Sequence, residues 1–318
     1  MSILIQQPGI MTTVQDLGRF GYRQLGIGPG GAMDRCAMRM IDILLGNDEN
    51  APVLEMHFPA ARILFEEECI FAIGGAEFGA TLDGEKIANW RQIRAEKGSD
   101  LRFDSKILGS RAYLAVSGGF AADEWLGSFS TNLVASAGCA SGSRLETGDR
   151  IRFRKPVSAA VDAAASISPS MVPRYSKLPT VRITRGAEFG DLTEQARYVL
   201  LTETFAITSN SDRMGFRLNG PPLSTDTRLE MLSSAVDFGS IQLLPDGQLI
   251  VIMADHQTTG GYPRIAHVAE HDLSVMGQLG GGDKVAFHLI ENSESERLSA
   301  DLERKMAMFR TACRMRNQ

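Results

Sequence analysis

Glycine limits how long any regular element can run in this chain: 32 of its 318 residues are glycine. Between them lie short apolar stretches at 61–65, 70–73, 111–116, 181–185, 248–253 and 284–290. Short apolar or alternating runs of this length, bounded by turn residues, read as strands. Many such strands favour a β-sandwich or barrel over a doubly wound sheet. Few stretches escape the pattern. Residues 33–45 carry apolar side chains at 33, 37, 40, 41, 44 and 45, the spacing of a helix, and Gly46-Asn47 suits its end. Residues 192–198 and 265–279 read as further helices, and 293–314 as a charged amphipathic terminal helix.

The segment 156–179 is rich in Ala, Ser and Pro, has little apolar periodicity and reads as a linker. It leaves one β-rich domain over 1–155 that contains helix 33–45, a second over 180–291, and a helical tail over 292–318. Both domains close alike, with Gly-Asp-Arg-Ile-Arg-Phe from Gly148 and Gly-Asp-Lys-Val-Ala-Phe from Gly282. That echo points to a similar fold in both halves.

Composition narrows the function. With 33 basic and 38 acidic residues the net charge is −5, and no basic block invites nucleic acid. The apolar runs, such as 249–254, are too short to span a membrane. Residues 1–10 lack the charged and apolar regions of a signal peptide. Cys36, Cys69, Cys139 and Cys313 lie far apart, as reduced thiols in a cytoplasmic protein would.

Several motifs compete for the site. Gly26-Ile-Gly28-Pro-Gly-Gly31 fits G-x-G-x-x-G, but the residues before it are polar and broken by glycine, where a dinucleotide fold needs a buried strand. The alternatives are a plain turn into a helix, or an anion cradle at the helix start. No G-x-x-x-x-G-K-[ST] occurs. His267-Val-Ala-Glu270-His271 matches H-x-x-E-H, which on one helix would put two histidines on one face for zinc, though no third ligand is apparent. Lys305-Met306 faintly resembles a biotin site but sits in a charged helical stretch. Denser polar groups stand at Gln15-Asp16-Leu-Gly-Arg19, at Asp212-Arg213, at Ser240-Ile-Gln242, and from Asp255 to Pro263, where acid, amide, hydroxyls, two glycines and Tyr262 follow a buried strand. Such a strand can fix polar groups while glycines let a ligand approach the backbone. The bland reading is a polar turn that bonds its own backbone.

Taken together these stretches resemble a known family. VQDLGRFGY, GAMDRCAMRMIDILLGN, AVSGGF and LGSFST are similar to the first half of the allophanate hydrolase subunit 2, or biotin-dependent carboxyltransferase-like, family. SDRMGFRLNG, GSIQLLPDGQLIVIMADHQTTGGYPRIAHV and GQLGGGDKVAF are similar to the second, in collinear order over roughly residues 3–290. ADHQTTGGYP is the most specific piece. The resemblance implies a mainly β chain with a few helices, built as two cyclophilin-like β-barrel domains in tandem.

The family includes the C subunit of 5-oxoprolinase. Its reaction would be the ATP-dependent opening of 5-oxo-L-proline to L-glutamate, with ATP, and Mg beside it, bound in an assembly with two partners. These are the enzyme's B subunit, which is the inhibitor-like chain, and its A subunit. Two further family roles are carboxyl transfer from carboxybiotin to urea or a related amide, and non-catalytic binding of a kinase-inhibitor protein. By position the resemblance singles out Gln15, Asp16, Arg19, Asp34, Asp212, Arg213, Ser240, Gln242 and Tyr262, whose chemistry suits substrate binding. It also singles out Asp255, Gln257, Thr258 and Thr259, whose chemistry suits catalysis. Chemically, Asp255 suits an acid/base or orienting role, the amide and hydroxyls suit donation to a carbonyl, and Arg19 and Arg213 suit an anion. Asp255 and Arg213 are expected in one cleft, near Gln15–Arg19 or the Gly26 loop. Two departures stand out. Pro29-Gly30-Gly31 replaces a proline-serine-glycine, which removes a hydroxyl from the candidate ligand loop. Gly281-Gly282-Asp283 replaces a proline-glycine-aspartate turn.

Overall fold

A computed structural model describes residues 2–154, 165–226 and 231–316. The chain divides into two units. The first takes residues up to Arg19, Gly30 to Arg174, and Arg304 onward. The second takes Phe20–Pro29 and Tyr175–Glu303.

The first unit holds two antiparallel sheets. One has the strand order Arg150–Arg152, Ser2–Gln7, Arg62–Phe65, Asp100–Phe103, Ala80–Leu82, Glu85–Lys86. The other runs Thr12–Gln15, Val53–His57, Leu108–Val116, Cys69–Glu77, Ile93–Ala95. Both sheets contribute to one core, which includes Ile3, Ile5, Ile63, Phe65, Phe71, Ile73 and Leu114. Alternation does the sorting: in Ser2–Gln7, Ile3 and Ile5 are buried while their neighbours are partly exposed. The predicted helix forms as Arg35–Leu45, capped at its start by Asp34, whose carboxylate accepts the Ala37 N–H at 2.9 Å.

The second unit is a closed barrel of seven strands. Around the ring stand Thr180–Arg185, Arg264–Val268, Ser240–Leu243, Leu249–Ile252, Gly215–Asn219, Thr204–Ile207 and Lys284–Leu289. An odd ring cannot alternate direction throughout. The unavoidable parallel joint lies between Thr180–Arg185 and Lys284–Leu289, and the other six joints are antiparallel. Phe216, Leu218, Leu249, Val251, Ile241 and Leu243 are buried.

Two expectations change. The stretch 265–279 is not one helix: Arg264–Val268 is a barrel strand, and a helix begins only at Glu270 and ends at Met276. Its apolar positions satisfy both periods, and pairing with two barrel neighbours decides for strand. The linker expected over 156–179 lies partly outside the described residues. Of its described part, Ala165 and Ile167 are buried and joined to the first unit by the Gln92 N–H donating to the Ala165 carbonyl and the Ile167 N–H to the Trp90 carbonyl, both at 2.8 Å. The terminal helix is Asn292–Arg316.

Candidate functional site

In the first unit, two distant motifs become one cluster. Asp16 Oδ1 accepts the Gly18 N–H at 2.7 Å and the hydroxyls of Ser128 and Ser130 at 2.7 and 2.5 Å, while Oδ2 accepts the Phe129 N–H at 2.7 Å. The LGSFST stretch thus wraps the carboxylate of VQDLGRFGY. Arg19 donates to the Ser130 carbonyl and lies over the Trp125 ring, 4.7 Å from its centroid. Gln15 donates to Thr13 Oγ1 at 3.0 Å and to the Thr131 carbonyl at 3.3 Å. Gln15, Asp16, Arg19 and Asp34 are all buried. Asp16 is fully engaged by its own chain, so its evident task is to fix these loops. Asp34 is engaged likewise, because it caps the helix and fills the position an anion would take.

The glycine motif has an internal reason too. A Cβ on Gly28 would stand 2.4 Å from the His256 carbonyl oxygen, and one on Gly31 would stand 2.8 Å from the Leu17 backbone. These glycines permit protein backbone, not a pyrophosphate, to approach.

The second unit gathers most of the remaining candidates. Arg213 grips Asp255 with two parallel bonds, Nε to Oδ2 at 2.7 Å and Nη2 to Oδ1 at 2.9 Å, and both side chains are 5% exposed. The Asp255 N–H also donates to the Arg213 carbonyl at 2.8 Å. A cavity of about 500 Å³ lies alongside, lined among others by Asp212, Met214, Arg217, Gln242, His256, Gln257 and Tyr262. Neither member of the ion pair lines it. Their chain neighbours do, Asp212 and Met214 on one side and His256 and Gln257 on the other. The pair therefore braces the cavity wall, and a carboxylate held by two guanidinium bonds is an orienting group more than a free base.

The other candidates divide. Gln242 is 2% exposed, lines the cavity and donates to the Tyr262 carbonyl at 3.0 Å. A Cβ on Gly260 would lie 2.7 Å from its Nε2, which accounts for one glycine of the TTGGYP run. Asp212 caps its own turn by accepting the Met214 and Gly215 N–H groups at 2.8 and 3.2 Å. Ser240 Oγ accepts the Asp237 N–H at 3.0 Å and so closes a turn. Thr258 and Thr259 are not among the cavity-lining residues. Thr259 begins a two-residue strand paired with Ser234–Ala235.

His256 is the residue that sequence reasoning passed over, although it stands inside the most specific motif. Its Nδ1 meets the Gln257 carbonyl at 2.6 Å, and its Nε2 lies 3.8 Å from Asp237 Oδ1. Asp237 in turn pairs with Arg23 at 3.3 Å. The two histidines of the H-x-x-E-H motif do not share a helix. His267 sits on a strand with Nδ1 at 2.8 Å from the Val268 carbonyl, while Nδ1 of His271 is shared between Arg182 and Asp272, both at 3.0 Å. Among the described residues no group of three or more His, Cys, Asp or Glu could hold a metal ion. No helix among the described residues is long and apolar enough to cross a membrane.

Comparison with known proteins agrees with this architecture. The family described as carboxyltransferase domain, subdomain A and B, matches residues 25–289. The chain is 38% identical to the C subunit of 5-oxoprolinase from Haemophilus influenzae over 288 residues, 90% of each chain. It is 34% identical to the C subunit of 5-oxoprolinase from Escherichia coli K12, over 99% of each. Among solved structures, the urea amidolyase of K. lactis superposes with a TM-score of 0.90 at 27% identity, over 97% of this chain but 20% of that one.

Proposed function

Because this chain belongs to the carboxyltransferase domain family, subdomain A and B, we propose that it is the C component of an ATP-dependent 5-oxoprolinase, opening 5-oxo-L-proline to L-glutamate together with the A and B components. The observation that carries the proposal is end-to-end likeness: two relatives named as the C subunit of 5-oxoprolinase are matched over 90% and 99% of their own length. A second reading, carboxyl transfer to a urea-like amide, draws on the likeness to urea amidolyase, but the chain spans only 20% of that protein.

Lactam opening breaks a C–N bond, with water supplying hydroxyl to the carbonyl carbon and a proton to nitrogen. The lactam carbonyl is a poor electrophile, so donors at its oxygen matter. Gln257 in the cavity wall is the donor we assign, with the His256 ring beside it and the Asp255–Arg213 pair holding that wall. Thr259 acts through the short strand that shapes the loop, and Thr258 through its carbonyl, which accepts the Val236 N–H at 3.3 Å.

ATP would supply phosphoryl activation in the assembled complex, but neither the glycine loop nor the cavity of the second unit fits a triphosphate. Gly28 is packed on His256 and Asp34 fills the helix start. The cavity lining sets two carboxylates, Asp212 and Asp246, against one guanidinium, Arg217.

The test is ATP-dependent glutamate release from 5-oxoproline by this chain mixed with its A and B counterparts. Release that needs all three chains supports the proposal. A well-folded ternary complex that releases no glutamate overturns it and turns attention to carboxybiotin.

A further inference from the structure

The cavity in the second unit lies along one face of three adjacent barrel strands. Register places Gln242 opposite Ile250, and Ile250 opposite Arg217. Side chains directly opposite on paired strands share a face, so Gln242, Ile250 and Arg217 form one row. All three line the cavity. Their strand neighbours Ile241, Leu243, Leu249, Val251, Phe216 and Leu218 are buried on the other face. The row thus presents an amide at one end, an apolar side chain in the middle and a guanidinium at the other end.

Each end has capacity to spare. Gln242 is 2% exposed and spends its Nε2 on the Tyr262 carbonyl, while its Oε1 accepts no hydrogen bond from a described residue. The Arg217 guanidinium makes no ion pair or hydrogen bond with any described residue. Neither carboxylate of the lining pairs with Arg217: Asp212 is held by the Met214 and Gly215 N–H groups and Asp246 by the Gln248 N–H at 3.0 Å, so the guanidinium is left to an incoming carboxylate. A buried amide oxygen and an open guanidinium in one groove match a ligand with an N–H at one end and a carboxylate at the other. Two inter-strand steps of about 4.8 Å separate the ends at the backbone. A small ring bearing a carboxylate, met by the long Arg217 side chain, fits across Ile250.

We propose that Arg217 is a specificity-determining residue that binds the substrate carboxylate, so the cavity selects small cyclic or secondary amides that carry an α-carboxylate over uncharged amides. Gln242 Oε1 accepts the amide N–H, and Ile250 packs against the ring. The choice of a lactam rests on the function proposed above. The carboxylate preference rests on the row alone.

The experiment uses the complex with the A and B counterparts and compares wild type with Arg217→Gln and Arg217→Lys. KM and kcat are measured for 5-oxoproline. Binding of 5-oxoproline and of 2-pyrrolidinone, which lacks the carboxylate, is measured by calorimetry on the complex and on this chain, with thermal melts confirming that the variants fold. Losing charge-assisted bonds to the carboxylate is expected to raise KM for 5-oxoproline on the order of 10- to 100-fold in Arg217→Gln. Arg217→Lys recovers part of that, kcat changes far less, and the weak binding of 2-pyrrolidinone does not change. Turnover with an unaltered KM in Arg217→Gln overturns this inference and leaves the proposed function standing. No turnover in any complex, but Arg217-dependent binding of 5-oxoproline and not of 2-pyrrolidinone, keeps the inference and removes the proposed function. Neither turnover nor binding removes both.

Discussion

The two units neutralise their buried carboxylates in different ways. In the first, Asp16 is surrounded by backbone N–H groups and serine hydroxyls, and Asp42 meets Asn47 Nδ2 at 2.9 Å. In the second, Asp255 is gripped by Arg213, and Asp272 by Arg182 at 2.5 and 2.8 Å. Neutral donors hold a carboxylate and bring in no second charge. Both devices tie together segments distant in sequence: 112 to 114 residues separate Asp16 from Ser128, Phe129 and Ser130, while 42 separate Arg213 from Asp255 and 90 separate Arg182 from Asp272. The arginine pairs also carry a liability, because losing either partner strands a buried charge.

The largest break in this contrast is expected at the cavity brace. Arg213→Ala leaves Asp255 unpaired and should cost about 3–5 kcal/mol, read as a lower urea midpoint of the second unit. Replacing both residues with apolar ones of similar volume should cost less than either single change. A double variant as unstable as Arg213→Ala would show that packing, not charge, is at stake.

Acid separates the two modes further. Burial pushes the Asp272 carboxyl up, but the hydrogen bonds from Arg182 and His271 outweigh it and hold the pKa at about 2. The depressed group contributes its full stability above the ordinary aspartate value of about 3.9 and loses it as pH falls through about 2. Wild type should therefore lose about 2–3 kcal/mol more than Asp272→Asn between pH 5 and pH 1.5, as followed by urea unfolding.

Asp16→Asn trades an acceptor of four bonds for an amide and should cost about 1.5–3 kcal/mol, with the first unit's melting midpoint as readout. A change below a few tenths would mean that the hydroxyls re-pair among themselves. The smallest effect concerns Asp42. Burial raises its pKa well above the ordinary value, against the lowering bond from Asn47, and so favours the protonated form in the fold. A raised carboxyl costs stability as pH climbs above its unfolded value. Asp42→Asn should be near neutral at pH 4 and stabilising at pH 8. Equal effects at both would show the carboxyl ionised in the fold.

Much of the fold was legible because alternation and glycine spacing are local signals. The strands at 61–65, 111–116 and 284–290 and the helix after Asp34 all formed close to where periodicity put them. The 265–279 stretch failed because five strand residues and seven helix residues, joined through Ala269, mimic a single helical stripe. The site was legible as a set of residues and not as an arrangement. Nothing in ADHQTTGGYP says that Asp255 turns to Arg213 while His256 and Gln257 face the cavity. Arg217 gave no signal at all, since its partnership with Gln242 exists only through cross-strand register.

The chain's early excursion has a temporal consequence. Residues 20–29 belong with the second unit, where Arg23 pairs with Asp237 and Gly28 lies against His256. During synthesis this segment emerges more than 200 residues ahead of the partners it needs. At about 5–20 residues per second it waits on the order of ten seconds or more, with Arg23 unpaired and the Gly28 backbone uncovered. A gene cut between the halves would make that wait permanent: the later half would lack the segment that pairs with Asp237 and packs on His256, and the earlier half would carry ten orphaned residues.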